Sequence, residues 1–96
     1  MRRAARKDGN EKQLRAAWEA MGGSWLSIAP IEGGEPDALL GMRGRQRLVE
    51  VKDGRKKPSA RKLRDVQFEW HAAWRGTPVR VVLSVEDLRI LAEEML

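Results

Sequence analysis

Asp37, Glu50 and Lys52 are the residues of this chain whose types and spacing could do chemistry together. Asp37-Ala38-Leu39-Leu40-Gly41 and Arg47-Leu48-Val49-Glu50-Val51-Lys52 flank the turn-like Met42-Arg43-Gly44-Arg45, and the whole stretch reads as a β-hairpin. An even-numbered loop centred between Arg43 and Gly44 sets Met42 opposite Arg45, Leu40 opposite Arg47 and Asp37 opposite Glu50. Directly opposed residues share a face. Side chains alternate along a strand, so Glu50 and Lys52 point one way and Val49 and Val51 the other. Two opposed carboxylates repel each other unless a cation sits between them. Their hard oxygens suit Mg²⁺ or Mn²⁺, and a neighbouring ammonium can orient an attacking water or stabilise charge that builds on a phosphate. That combination suits phosphodiester hydrolysis.

The hairpin needs elements around it. Leu14, Ala17, Trp18 and Met21 recur at helical spacing until Gly22-Gly23, which predicts a first helix over 10–21. Trp25, Leu26 and Ile28 predict a short strand over 24–29, cut off by Pro30 and Gly33-Gly34. Lys52 to Arg64 reads as an exposed basic loop running into a helix with Leu63, Val66, Trp70 and Trp74 on its apolar face. Gly76-Thr77-Pro78 stops that helix, and Val79 to Leu83 supplies a β-branched strand. Ser84 with Asp87 resembles a capping box opening a last helix, whose inner face is Val85, Leu88, Leu91, Ala92 and Met95. The expected order is α-β-β-β-α-β-α.

Ninety-six residues make one domain, since one hydrophobic core typically serves about 100–150 residues. Arg2, Arg3, Arg6 and Lys7 mark residues 1–9 as a basic flexible arm, leaving 10–96 as the folded unit. No apolar run approaches the roughly 20 residues that cross a bilayer, and polar Asp8-Gly9-Asn10-Glu11 stands where a signal peptide would be apolar. The expectation is a soluble, non-exported protein with no membrane partner. With no cysteine and a single histidine, His71, thiolate zinc sites, disulfides and His-rich metal sites are excluded. A net charge of +5 suggests an anionic partner such as nucleic acid.

Pro36-Asp37 followed one strand later by Glu50-Val51-Lys52, with Gln67 on the next helix, resembles the PD-(D/E)XK nuclease superfamily. Within it the chain resembles the VRR-NUC group (virus-type replication-repair nucleases), particularly the minimal stand-alone versions of bacteriophages and prophages. The resemblance implies an α/β fold with a restriction-endonuclease-like core, αβββαβ plus a C-terminal helix, whose mixed central sheet is flanked by helices. It further implies a Mg²⁺-dependent DNA endonuclease, with Mn²⁺ as a substitute, that acts as a homodimer on branched DNA in the manner of Holliday-junction resolvases. Its place would be the cytoplasm of a bacterial cell or phage-infected host. Carried over by position, Asp37 and Glu50 hold the metal with the Val51 carbonyl, Lys52 is the catalytic lysine, and Glu11 and Gln67 are further site residues. Glu35, a carboxylate beside Pro36-Asp37, departs from the pattern. Flap-type or nonspecific cleavage, and an inactive DNA-binding or assembly protein on the same fold, are the alternatives.

Arg55, Lys56, Lys57, Arg61 and Lys62 leave the Lys52 strand and therefore lie near the site, where they would contact phosphate. Arg43, Arg45 and Arg47 at the hairpin tip would extend that DNA-binding track. Trp18, Trp70 and Trp74 share stripes with Leu and Val and are expected in the core. His71 lies off that stripe and is expected at the surface. Asp53 beside Gly54 reads as a turn residue, and Asp8 and Asn10 as caps of the first helix.

Overall fold

A computed structural model describes residues 9–29, 31 and 33–96; Asp8 and the arm up to it lie outside these. The elements are α1 (Glu11–Ala20), β1 (Ser24–Ser27), β2 (Ala38–Met42), β3 (Arg45–Val51), α2 (Asp65–Ala73), β4 (Arg80–Val82) and α3 (Val85–Glu94), in the expected order. The sheet runs β1-β2-β3-β4, antiparallel except for the parallel β3–β4 pair. It is the mixed α/β sheet of the restriction-endonuclease-like fold. Among the described residues no helix is long and apolar enough to cross a membrane.

The β2–β3 register sets Met42 opposite Arg45, Leu40 opposite Arg47 and Ala38 opposite Val49. The strands run closer to the turn than the sequence indicates. Arg43 and Gly44 alone connect them, at φ 54° and 78°, the positive pair that a two-residue hairpin turn requires because its twist matches the strands. Arg43 stabilises the turn from outside by donating from Nη1 to the Ala92 carbonyl at 3.0 Å, which ties the hairpin to α3.

Alternation divides the sheet into two faces. Ala38, Leu40, Met42, Val49 and Val51 enter a core completed by Leu14 and Trp18 of α1, Trp25 of β1 and Leu88, Leu91 and Met95 of α3 and its C-terminus. The Trp18 indole N–H, which would be costly to bury unpaired, donates to the Ser24 carbonyl at 3.0 Å. Leu39, Leu48 and Glu50 face the other way, and α2 lies on that side. α3 is capped as expected, the Asp87 amide donating to Ser84 Oγ, while Asp87 Oδ2 accepts the Leu83 amide.

The face expected for α2 is corrected. Val66 is 46% exposed, Phe68 64% and Trp74 43%, and the helix turns Gln67 inward instead. Its apolar residues are spread around the cylinder, so tertiary contacts choose the inner face. Asn10 also departs from expectation. It caps nothing with its side chain, and Nδ2 instead donates to the Lys52 and Leu83 carbonyls at 3.1 and 3.2 Å, tying the start of α1 to the ends of β3 and β4.

Candidate active site

Asp37 and Glu50 meet at the end of the β2–β3 ladder. The Asp37 amide donates to the Val49 carbonyl at 3.0 Å, which carries the antiparallel register one residue beyond β2. Its Oδ2 accepts the Val51 amide at 2.7 Å. The loop before Asp37 is pressed against α2, because a Cβ on Gly34 would stand 2.6 Å from the Val66 carbonyl oxygen. Glu35, the departure from the family pattern, closes this loop by accepting the Ile31 and Gly33 amides at 3.0 and 2.9 Å.

Glu50 is buried, at 2% exposure. Burial first, then the hydrogen bond to Asp37 and that residue's negative charge, push its carboxyl from 4.5 up to about 9, against the opposing charges of Lys52 and Arg64. Glu50 is therefore protonated near neutral pH. Gln67 wires the rest of the site. Its Nε2 donates to Glu50 Oε2 at 2.9 Å, while its Oε1 accepts Lys52 Nζ at 3.1 Å and the Arg64 amide at 2.9 Å. The last of these satisfies an otherwise open amide at the start of α2, so one residue both starts the helix and positions the acid and the lysine.

His71 was expected at the surface and stands in the site. One turn after Gln67, its Nε2 lies 3.6 Å from Glu50 Oε1, with the imidazole side chain only 12% exposed. Neither atom has a hydrogen-bond partner. Burial and the Lys52 charge lower the histidine's pKa from 6.5, with Asp37 opposing. The i, i+4 spacing from Gln67 was the available signal. Glu11 is buried in the first turn of α1, beside the Asn10 tie to the Lys52 carbonyl.

The basic residues separate into two groups. Arg55 forms a two-pronged pair with buried Asp53, Nε to Oδ1 and Nη2 to Oδ2, each at 3.0 Å. That pair holds Asp53 down at about 2, so Asp53 anchors Arg55 as well as turning the chain. Arg43 is engaged with α3 as described, and Arg47 Nη1 donates to the Gln46 carbonyl at 2.7 Å. Arg45, Lys56, Lys57 and Lys62 are exposed and Arg61 is half-buried.

Among the described residues no three His, Asp or Glu side chains gather into a cation cage. A bound ion would thus draw on the two carboxylates and a main-chain carbonyl. The residues fit a hard divalent cation: two acids are held together at the cost of neutralising one, and Glu50 Oε1 is buried with no donor to meet it.

No family model and no curated protein matches the chain. A solved structure titled "VRR_NUC domain" matches it with a TM-score of 0.66 and 33% sequence identity, over 96% of this chain and 100% of that one.

Proposed function

The chain belongs to the VRR-NUC family of PD-(D/E)XK nucleases, and from that premise we propose that it is a Mg²⁺-dependent DNA endonuclease, selective for branched DNA and acting as a homodimer. The observation that carries this reading is the pairing of half-buried Asp37 with buried Glu50, wired through Gln67 to Lys52. Asp37, Glu50 and the Val51 carbonyl would hold Mg²⁺ or Mn²⁺. When bound, the ion supplies Lewis-acid stabilisation of the phosphoryl oxygens.

The remaining work falls to this chain's own groups. Lys52, fixed by Gln67 Oε1, places a positive charge where negative charge develops on phosphate and helps orient the attacking water. Gln67 pins Glu50 Oε2 and leaves Oε1, 3.6 Å from His71 Nε2, as the oxygen that would be available to a bound ion. Glu11 would add a further acid from the start of α1. Arg45, Lys56, Lys57, Arg61 and Lys62 position the duplex through its phosphates with little base preference. Two sites in a dimer suit symmetric cleavage of a four-way junction, and a small core gains stability from a partner subunit.

The test is cleavage of an end-labelled four-way junction by purified protein in Mg²⁺. The wild type should cut it, and Glu50→Ala and Lys52→Ala should not. Equal cutting by either variant would remove these residues from the mechanism.

A further inference from the structure

A groove of about 510 Å³ opens on the sheet between the hairpin and the segment after α2, lined by Leu39, Leu48, Arg45, Arg47, Trp74 and Thr77 among others. Alternation places Leu39 two residues from Asp37 and Leu48 two residues from Glu50, so its floor shares the face of the two acids. Two residues of strand span about 7 Å. The groove therefore begins one or two nucleotides from the reacting phosphate. The wall opposite the hairpin carries Trp74, 43% exposed. Trp70 stacks on this ring with centroids 5.1 Å apart and planes inclined by 15°, which holds Trp74 in place.

Its chemistry is distinctive for a face that handles DNA. Two leucines and an indole offer an apolar slot, two arginines line it, and none of its lining residues is acidic. A continuous duplex keeps its bases stacked inside and presents phosphate and sugar, which need neither leucine nor tryptophan. An unpaired nucleotide needs both an aromatic or apolar surface for its base and cations for its backbone. The size also falls within the range of small-ligand pockets, roughly 300–1,000 Å³. Resting on the nuclease reading, we infer that this groove is a subsite for an unpaired nucleotide beside the cleavage position. Trp74 stacks on the base over the Leu39–Leu48 floor, and Arg45 and Arg47 balance the adjoining phosphates. The site thereby selects DNA whose branch point or end supplies a free base.

The experiment measures binding without divalent ion, so that cleavage plays no part. Fluorescence anisotropy in EDTA compares a labelled blunt hairpin duplex with the same duplex carrying a four-nucleotide overhang of either polarity. The wild type should prefer one overhang by about tenfold, the effect expected of one stacked base. Trp74→Ala should remove that preference and Trp74→Phe should keep most of it. A 2-aminopurine placed first in the overhang should be quenched by the wild type and by Trp74→Phe. Equal wild-type affinity for blunt and overhanging DNA, or an unchanged preference in Trp74→Ala, overturns the subsite. If the preference holds while junction DNA is not cut in Mg²⁺, the subsite stands and the nuclease reading fails. If cutting proceeds without the preference, the reverse holds.

Discussion

Glu50→Gln should stabilise the metal-free protein. Glu50 is held neutral in the fold, with its carboxyl at about 9, whereas the same group in the unfolded chain titrates near 4.5. Keeping it protonated at pH 7 costs about 3 kcal/mol, at about 1.36 kcal/mol per pH unit. That cost depends on the unfolded value and the pH, and is insensitive to the folded value as long as it stays above 7. Glutamine is neutral in both states, accepts from Gln67 Nε2 as Glu50 does, and offers its own N–H to Asp37. The sign follows from the raised folded value. The wild type's stability from this group is fully present below pH 4.5 and is lost as the pH climbs toward 9. The variant lacks this dependence. Thermal unfolding in EDTA at pH 5, 7 and 9 reads the difference. At pH 7 the variant should melt higher by roughly 10–20 °C for a domain of this size, with a smaller gap at pH 5. A wild type as stable as the variant at every pH would refute the reasoning, because Glu50 would then be ionised without penalty.

Other outcomes follow from the same geometry. Gln67→Ala removes the partner of Glu50, Lys52 and the Arg64 amide; urea unfolding should show a loss of about 2–3 kcal/mol, and DNA cleavage should fall with it. Gly34→Ala forces a Cβ to within 2.6 Å of the Val66 carbonyl and should cost about 1–3 kcal/mol by the same assay; an unchanged midpoint would show that the loop can retreat from α2. His71 is the single histidine, so its Hε1 proton gives one unambiguous NMR titration. Its midpoint in EDTA should lie below 6.5, and the stability linked to it should be lost as pH falls below that value, since the folded state resists its protonation. A midpoint above 6.5 would show an ionised Glu50 beside it.

The hairpin was legible because alternation and turn length are local rules. Once Arg43-Gly44 is recognised as the turn, the pairing of Leu40 with Arg47 and the approach of Asp37 to Glu50 follow. The cores of α1 and α3 were legible for the same reason, as their apolar residues fall on one stripe. α2 was not. Val66 and Trp70 share one stripe while Phe68 lies on the opposite side of the helix, and its inner face is set by the acid and lysine that Gln67 satisfies, residues distant in sequence. His71 follows Gln67 onto that face, whereas the apolar pattern of the sequence marks the tryptophans as the buried side. Asn10 and Glu35 satisfy backbone groups whose exposure depends on how loops meet. Arg43 and Arg55 likewise read as free cations until the α3 carbonyl and Asp53 are seen beside them.

The most direct measurement is the proton count of divalent-ion binding. Calorimetric titration of Mn²⁺ at pH 7 in buffers of different ionisation enthalpy reports protons released per ion bound. Because Glu50 must give up its proton to meet an ion, about one proton per site should leave, and Glu50→Gln should bind weakly and release none. Tight binding with no proton released, or no binding by the wild type, would contradict a site built on two acids that need a divalent counter-ion.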